Sequence, residues 1–435
     1  MQICVFALGK IGLPLAVQFA SLGHRVTGVD ISPRVVDLVN AAEAPFPGET
    51  GLDEALKQVV ADGRLTATLD GSAAVAEAEA VVIVVPLIVD AAGVPDFGPL
   101  DAATSAVAAG LKPGTLVSYE TTLPVGTTRE RFAPMLASGS GLTPGQDFHL
   151  VFSPERVSSG RIFADLKKYP KLVGGIDDAS TERGVAFYQQ VLEFDQRADL
   201  PRPTGVWNLG TSEASELAKL AETTYRDVNI GLANTFARYA DRIGVDVSAV
   251  IEACNSQPFS HIHQPGIAVG GHCIPVYPRM YLWNDPEAEV VRVAREANAA
   301  MPSYAVSLLA EEHGADLAGV RVAVLGIAYR GGVKETAFSG VFPTVEALKE
   351  RGADVVVADP MYTDEEIRAL GFEPYVVGSG EPVAAAVIQT DHVEYRTLTP
   401  ADLPGISTLI DGRRVTDPAA WQGVRRRVIG AGNRG

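Results

Sequence analysis

Cysteine is scarce in this sequence, since Cys4, Cys254 and Cys273 are the only three among 435 residues. Three widely separated cysteines are too few for a disulfide framework, and no Cys-x-x-Cys pair offers the spacing of a zinc site. We therefore expect free thiols, no bound metal and a reducing compartment, the cytoplasm.

Positive charge is also in short supply, with 36 Lys and Arg against 53 Asp and Glu and a net charge of −17. Nucleic acids and anionic membranes attract a basic face, so neither is expected as a partner. No run of 18 apolar residues is free of Gly, Pro and charge, and no signal-peptide pattern precedes the first strand-like run. The 47% of hydrophobic residues is typical of a globular protein of two or three domains.

The N-terminal residues carry an incomplete dinucleotide fingerprint. An apolar run at 2–7 leads into Gly-Lys-Ile-Gly at 9–12 and a helix, and a second strand, 24–29, ends on Asp30. The glycines let backbone N–H groups approach a pyrophosphate, and the acid takes ribose hydroxyls, which selects NAD over NADP. Because Ala7 replaces the first glycine of the fingerprint, the prediction depends on the strand, helix and acid around the turn.

Strands and helices alternate at both ends of the chain, which predicts two parallel sheets. In the first part, loops after the strands should face a ligand. Glu155 and Arg156 follow one of these strands, either as a surface ion pair or as an acid–base candidate. In the last part, residues 424–435 show no periodicity, and we expect them to be frayed, with the three arginines at 425–427 on a solvated face.

The middle of the chain has a helical pattern. Residues 211–243 lack proline and repeat apolar residues at helical spacing, which predicts a long helix between the two α/β parts, followed by helices at 245–255 and 286–301. Lys219 lies on the long helix, either as a surface residue with a packed stem or as an oxyanion stabiliser. The helix is longer than one small sheet needs, so we expect a homodimer through this region.

A glycine-rich loop at 266–278 ends on Cys273. Gly270 and Gly271 remove side-chain bulk just before the sulfur, as is needed where backbone and ligand come close. The local sequence leaves two interpretations open: a small cysteine packed beside a tight turn, or a nucleophile.

Eight short motifs together resemble the UDP-glucose/GDP-mannose dehydrogenase family of nucleotide-sugar 6-dehydrogenases, in the family's order and across the whole chain. His-Gln-Pro-Gly at 263–266 is most similar to the branch acting on UDP-N-acetylhexosamines, especially UDP-N-acetyl-D-mannosamine. The motifs are GKIGLPLA at 9–16, ETT at 120–122, SPERV at 153–157, ELAK at 216–219, YRDVNI at 225–230, GGHCIP at 270–275, DP at 359–360 and DGR at 411–413.

The resemblance implies an α/β fold of two Rossmann-like parallel-sheet domains joined by a long central helix and a small helical domain. It places an NAD-binding domain at 1–200, a central dimerisation domain with the cysteine loop at 201–305, and a UDP-sugar-binding domain at 306–435. The implied reaction is the four-electron oxidation of the sugar C6 hydroxymethyl group to a carboxylate, with NAD as cofactor and a UDP-sugar as substrate.

The resemblance also assigns roles to residues. Cys273 would carry a thiohemiacetal and then a thioester, Lys219 would steady the oxyanion, and Glu155 would handle the proton of the hydrolytic water. The implied catalytic residues are Cys273, Lys219, Glu155, Thr122 and Thr223. The implied cofactor-binding residues are Gly9, Lys10, Ile11, Gly12, Asp30, Arg34, Pro86 and Thr122. The implied substrate-binding residues are Arg156, Lys219, His261, His263, Gly266, Gly270, Arg330 and Arg413.

Some residues depart from the family pattern, and alternatives stay open. The departures are Thr223 for Asn, Tyr277 for Asp, Ala337 for Arg, and Leu87-Ile88 for Thr-Pro. The retained cysteine, lysine and glutamate favour an active, divergent enzyme. UDP-glucose is an alternative substrate, and a nucleotide-sugar-binding protein or a two-electron oxidoreductase is an alternative function. A Rossmann-type epimerase needs a Tyr-x-x-x-Lys pair, for which Lys168-Tyr169 has the wrong spacing.

Overall fold

Two α/β units make up the chain, Met1–Glu222 and Thr223–Gly435. The computed structural model describes residues 1–90, 93–158, 160–314 and 316–432. The α/β prediction is confirmed, while the three-domain division with boundaries at 200 and 305 stays a prediction.

In the first unit, strands lead into helices through short turns. Its elements are β1 (Gln2–Phe6), α1 (Gly12–Ser21), β2 (Arg25–Val29), α2 (Pro33–Asn40), α3 (Leu52–Ala61), β3 (Leu65–Thr68), α4 (Gly71–Ala76), β4 (Ala80–Ile83), β5 (Ile88–Val89), β6 (Pro95–Asp96), α5 (Gly98–Gly110), β7 (Leu116–Tyr119), α6 (Ala133–Ser140), β8 (His149–Phe152), α7 (Ile162–Lys168), β9 (Lys171–Gly175), α8 (Asp178–Val191) and β10 (Val206–Thr211). The long helix α9 (Ser212–Ile243) begins in this unit and ends in the second.

The main sheet of the first unit, as far as the described residues define it, has the order β10-β9-β8-β7-β4-β1-β2-β3. Its strands are parallel except for the antiparallel pair β8 and β9. Strand β4 is apolar and buried throughout, as expected of a central strand covered on both faces. The strand order reverses between β1 and β4, and in open α/β sheets the ligand crevice lies at such a switch point. The turn after β1 and the loops after β4 and β7 therefore border the expected site.

The second unit has helices first and a sheet afterwards. Its further elements are α10 (Val247–Asn255), α11 (Tyr277–Asn284), α12 (Glu289–Ala299), α13 (Met301–His313), β11 (Arg321–Leu325), α14 (Val341–Glu350), β12 (Asp354–Ala358), α15 (Asp364–Ala369), β13 (Glu373–Pro374), β14 (Ala385–Ile388), β15 (Thr408–Asp411) and β16 (Arg425–Val428). The sheet order is β13-β12-β11-β14-β15-β16, and every recorded pairing is parallel. The predicted second parallel sheet is confirmed.

The expectation of a frayed tail is wrong for residues 424–432, and residues 433–435 lie outside the described part of the chain. Strand β16 pairs in parallel with β15, and it contains the three arginines. The Arg427 guanidinium is buried and lies 3.1 Å from a carboxylate oxygen of Glu311 and 3.2 Å from one of Glu312, both on α13. These carboxylates balance the buried charge, which the sequence of the strand itself does not reveal. In the part of the chain that the structure describes, no helix is both long and apolar enough to span a membrane.

Candidate active site

The turn between β1 and α1 leaves its backbone open to a ligand. Ala7 has a φ of 72°, the left-handed conformation that glycine adopts without strain. An alanine there costs about 1–2 kcal/mol, so the turn keeps the fingerprint geometry without the first glycine. A Cβ on Gly12 would lie 1.8 Å from the Ala7 carbonyl oxygen, whereas a Cβ on Gly9 would meet no protein atom within 4 Å. Gly12 is thus required by the fold, and Gly9 is free for an approaching phosphate.

Asp30 is fixed beside this turn. Its Oδ2 accepts the Leu8 N–H at 2.8 Å, and its Oδ1 accepts the Ser32 N–H at 2.9 Å. The carboxylate stays half-buried, and Ile31 beside it is 97% exposed. The open glycine turn and the fixed acid fit a dinucleotide, with the diphosphate at 9–12 and a ribose at Asp30. Of the other residues predicted here, Ile11 is half-buried, and Lys10, Arg34 and Pro86 are exposed.

The second unit repeats the same backbone frame around Asp359. Gly326, with a φ of 109°, donates its N–H to the Ala358 carbonyl at 2.7 Å, as Ala7 does to the strand end in the first unit. Asp359 accepts the Ile327 N–H at 2.6 Å and the Met361 N–H at 2.9 Å.

Asp359 differs from Asp30, its counterpart in the first unit, in one side-chain contact. The His392 Nε2 lies 3.0 Å from Asp359 Oδ2, and both side chains are buried. The Asp359 carboxylate therefore has a side-chain partner within the fold, His392, in addition to the two backbone N–H groups.

A buried cluster of charged groups lies where β7, β8 and β9 neighbour one another. The Lys171 Nζ donates to Glu120 Oε2 at 2.5 Å and to Glu155 Oε2 at 2.9 Å. Tyr188 donates its hydroxyl to Glu120 Oε1 at 2.7 Å, and the Arg156 N–H donates to Glu155 Oε1 at 2.7 Å. Burial raises the pKa of Glu120 to about 7, with Lys171 opposing the rise and Glu155 adding to it. The sequence predicted Glu155 but missed Lys171 and Tyr188, because nothing in their local sequence is unusual.

The predicted Arg156 is already engaged by protein groups. Its Nε donates to Glu222 Oε2 at 2.8 Å, and its guanidinium also reaches the Pro170 carbonyl at 3.3 Å. In this arrangement the side chain ties the loop after β8 to α9. The structure of the first unit thus supports a positioning role for Arg156 more directly than a ligand contact.

Glu216 on α9 fixes the loop that contains Thr122. Its carboxylate accepts the Gly126 N–H at 2.6 Å, the Thr128 N–H at 2.9 Å and the Thr128 hydroxyl at 2.7 Å. Burial raises the pKa of Glu216 to about 7, although these hydrogen bonds oppose the rise. Thr122 is buried, and so is Lys219, three residues beyond Glu216 on the same helix. Thr223, one turn further along α9, is also buried.

The cysteine loop lies against the carboxyl ends of β11 and β15 in the second unit. The Ile267 N–H donates to the Gly412 carbonyl at 3.0 Å, and the Gly271 N–H donates to the Ala337 carbonyl at 2.8 Å. Gly271 has a φ of 96°, and a Cβ on Gly270 would lie 2.6 Å from the Tyr329 Cβ. Both glycines are therefore needed for this close approach.

Cys273 follows these glycines as a half-buried free thiol. Its carbonyl accepts the Tyr277 N–H at 2.9 Å, so the residue lies one turn ahead of α11. The loop fixes the backbone of Cys273 on both sides, which is the requirement for presenting a sulfur at a defined position.

Two asparagines of α9 fix the segment that precedes the cysteine loop. Asn229 donates to the His261 carbonyl at 2.8 Å and accepts the His263 N–H at 2.9 Å. Asn234 accepts the Gly266 N–H at 3.0 Å. The His261 side chain is exposed, and the His263 ring is half-buried. The segment predicted to contact the sugar is thus fixed through its backbone.

Arg413 lies beside Gly266, another of the predicted substrate residues, within the second unit. Its Nε donates to the Gln389 carbonyl at 2.9 Å, and its guanidinium reaches the Tyr329 carbonyl at 3.4 Å. A Cβ on Gly266 would lie 3.2 Å from Arg413 Nη1, so these two residues are in contact distance. Burial lowers the pKa of Arg413. Arg330, in the loop after β11, is exposed.

Among the described side chains, no group of three His, Cys, Asp or Glu residues is arranged to hold a metal ion. The side chains described above offer the nucleophilic chemistry of a thiol and the acid–base chemistry of ammonium and carboxylate groups.

Three sequence models of the UDP-glucose/GDP-mannose dehydrogenase family match the chain. The NAD binding domain matches residues 1–192, the central domain residues 213–300, and the UDP binding domain residues 323–418.

Curated and solved proteins give matches over the whole length. UDP-N-acetyl-D-mannosamine dehydrogenase from Pyrococcus horikoshii is 35% identical over 437 residues, which cover 95% of this chain and 96% of that protein. The solved UDP-D-ManNAc dehydrogenase structure from the same organism gives a TM-score of 0.87 at 33% identity, covering 99% of this chain and 100% of the other. A UDP-glucose dehydrogenase structure from Pyrobaculum islandicum gives a TM-score of 0.82 at 29% identity, covering 96% and 97%.

Proposed function

Because this chain belongs to the UDP-glucose/GDP-mannose dehydrogenase family, whose first domain binds NAD, we propose that it oxidises a UDP-N-acetylhexosamine at C6. UDP-N-acetyl-D-mannosamine is the first candidate substrate, and the uronate is the product. The observation that carries the proposal is the fixed loop at 266–278, which begins at Gly266 beside Arg413 and leads to Cys273 within the second unit.

The residues of the first unit would hold NAD. The open backbone at Gly9 and the helix that follows would receive the diphosphate, and the fixed Asp30 carboxylate would accept the ribose hydroxyls. When bound, NAD supplies the acceptor for a hydride in each of the two oxidations. A 2′-phosphate would meet the charge of Asp30, which favours NAD over NADP.

Cys273 would keep the reacting carbon on the enzyme between the two oxidations. Its sulfur bonds to the C6 carbon of the aldehyde and gives a thiohemiacetal, and the oxidised form is a thioester. A water oxygen then bonds to the acyl carbon, and the C–S bond breaks with its electron pair leaving on Sγ. The thiolate is restored and the carboxylate is released.

Four further side chains would act around this carbon. Lys219 would stabilise the negative charge that develops on oxygen, and Glu155 would take the proton of the attacking water. Thr122, whose loop Glu216 fixes, would lie near the cofactor and the water. Thr223 would take the position of the amide that the family usually places there.

The choice of sugar is proposed from the segment before the cysteine loop. The His-Gln-Pro-Gly segment at 263–266 is fixed by Asn229 and Asn234, and it resembles the acetylhexosamine branch of the family most. A solved UDP-glucose dehydrogenase shares the fold closely, so the overall architecture does not discriminate between the two sugars.

A homodimer is proposed from an exposed apolar stripe on α9. Leu232, Phe236, Tyr239 and Ile243 are spaced by four, three and four residues, so they lie on one face of the helix. Their exposures are 46%, 36%, 55% and 48%. A second copy of this chain, with the same stripe, would cover them. The three free thiols agree with a reducing location, the cytoplasm.

Product stoichiometry tests the proposed reaction. Purified enzyme is supplied with a limiting amount of UDP-N-acetylmannosamine, UDP-N-acetylglucosamine or UDP-glucose and an excess of NAD. We expect two NADH per sugar, with the highest kcat/KM for UDP-N-acetylmannosamine. One NADH per sugar would indicate a two-electron oxidoreductase, and a higher kcat/KM for UDP-glucose would overturn the choice of sugar.

A further inference from the structure

The cluster around Lys171 contains two carboxylates for one ammonium. We propose that Glu120 serves as a second counter-ion of Lys171, so that Glu155 can take up a proton without leaving a buried ammonium unpaired. In this view Glu120, Lys171 and Tyr188 are positioning residues for Glu155. The inference rests on the proposed role of Glu155 in thioester hydrolysis.

Burial makes the charge balance of this cluster decisive. The Lys171 side chain is 4% exposed, that of Glu120 is 0% exposed and that of Glu155 is 11% exposed. A buried ammonium without a counter-ion is strongly unfavourable. The two carboxylates outweigh the effect of burial and raise the pKa of Lys171, so the amine stays protonated.

A single carboxylate partner would make Glu155 a poor base. If Glu155 alone neutralised Lys171, each proton that it accepted would leave the ammonium uncompensated. With Glu120 present, the cluster changes from a net charge of −1 to 0 when one proton enters, and Lys171 keeps a partner throughout. Burial raises the pKa of Glu120, and the charge of Glu155 adds to that rise, so the two carboxylates that share Lys171 act on one another electrostatically.

The two carboxylates are not equivalent in their surroundings. Glu120 is enclosed, and its Oε1 accepts the Tyr188 hydroxyl, which lies 2.7 Å from the Ser118 hydroxyl. Glu155 retains some exposure, and its Oε1 is held by the N–H of the next residue. Glu155 is therefore the member that can exchange a proton with water, and Glu120 is the member held in place.

Other charged groups near Glu155 have partners of their own. Asp165 and Tyr169 border, together with Glu155 and Lys171, a cavity of about 10 Å³. Asp165 pairs with Arg161 at 2.9 Å and accepts the Ser158 N–H at 3.0 Å. Arg156, the neighbour of Glu155, pairs with Glu222 on α9. Within the described residues, the recorded ion pairs of Lys171 are those with Glu120 and Glu155.

The step affected is the hydrolysis of the thioester on Cys273. As the water oxygen bonds to the acyl carbon, Glu155 takes one proton of that water, and the C–S bond then breaks with the electron pair on Sγ. Removing the charge of Glu120 leaves Glu155 as the sole counter-ion of Lys171, which favours its ionised form and weakens it as a base.

The experiment measures how adduct decay depends on pH. Wild-type enzyme and Glu120→Gln are mixed with UDP-N-acetylmannosamine and NAD, quenched at intervals and analysed by intact mass between pH 5 and 9. In a plot of the decay rate against pH, the acid limb is the range in which the rate rises with pH, and the plateau is the constant rate above it. For Glu120→Gln we expect the acid limb to move to lower pH by about one unit or more and the plateau rate to fall about tenfold. Lys171→Met should move the acid limb in the opposite direction, because two carboxylates then face each other without a cation.

Two further variants separate positioning from folding. Tyr188→Phe removes the hydrogen bond to Glu120 but no charge, and it should move the limb less than Glu120→Gln does. Glu193→Gln, at an exposed pair with Lys167, is the matched control and should leave the profile unchanged. If Glu120→Gln lowers the rate without moving the limb, Glu120 is structural and the inference is wrong. If no adduct forms on Cys273 in any variant, the proposed function itself fails.

Discussion

At the scale of single residues, the glycine turn shows both what sequence can predict and where it stops. The turn, the helix after it and the acid at the end of β2 were predicted from residue types alone. The sequence could not show that Ala7 adopts the left-handed conformation of the glycine it replaces, because that depends on the hydrogen bond to the end of β2. Lys171 and Tyr188 were missed because they meet Glu120 across 51 and 68 residues of chain.

Gly9 and Gly12 should respond differently to alanine. Gly12→Ala places a Cβ 1.8 Å from a backbone oxygen, so we expect a loss of about 1–3 kcal/mol in the free energy of unfolding. Gly9→Ala meets no protein atom within 4 Å and should change stability by less than about 1 kcal/mol, yet it should weaken NAD binding at least tenfold. Denaturant unfolding and NAD titration measure the two effects. Unchanged NAD affinity in a folded Gly9→Ala variant would contradict the assignment of the turn.

At the scale of elements, the strands predicted at 2–7 and 24–29 and the helices predicted at 211–243 and 245–255 match β1, β2, α9 and α10 to within two residues, and the errors have identifiable causes. The helix predicted at 286–301 is α12, and the helix α13, which begins at Met301 with Pro302 in its first turn, was not predicted. The strand β16 was missed because its charged residues are balanced by α13, far away in sequence. The loops of the site follow the ends of strands as predicted, but the residues that fix them, such as Glu216 and Asn234, required the structure.

Glu216 should make stability depend on pH. Its pKa is raised from 4.5 to about 7 in the folded protein. The folded state therefore binds more protons than the unfolded state between these two pH values. The contribution of Glu216 to the free energy of unfolding is fully present below about pH 4.5 and is lost as pH rises through 7. Between pH 5 and pH 8, the free energy of unfolding of wild type should fall by up to about 3 kcal/mol more than that of Glu216→Gln. Chemical unfolding at several pH values measures this, and parallel curves for the two proteins would contradict it.

At the scale of the whole molecule, the composition, the two α/β units and the family were accessible from sequence, and the assembly remains a prediction. The apolar spacing on α9 predicted a helix but could not show which of its apolar residues would stay exposed. The structure places Leu232, Phe236, Tyr239 and Ile243 on an exposed face, with Val290 of α12 also 71% exposed. This distribution is the basis for expecting a second copy.

Introducing charge on this stripe should dissociate the dimer. Leu232→Glu with Phe236→Glu would bury two carboxylates in each half of the interface, so we expect the mass of one chain at micromolar concentration in sedimentation or light scattering. Val393→Glu, at a residue that is 64% exposed elsewhere in the second unit, is the matched control and should stay dimeric. A monomeric wild-type protein with full activity would contradict the proposed assembly.

The most direct test of the central claim, that Cys273 carries the sugar through a thioester, is intact-mass spectrometry of Glu155→Gln mixed with UDP-N-acetylmannosamine and NAD. Because glutamine cannot take the proton of the attacking water, hydrolysis should be the slowed step. We expect the protein mass to increase by one oxidised sugar nucleotide, with the added mass on the peptide that contains Cys273 and absent when Cys273→Ser is introduced as well. A variant that shows no adduct while Cys273→Ser still yields two NADH per sugar at the wild-type rate would contradict the account.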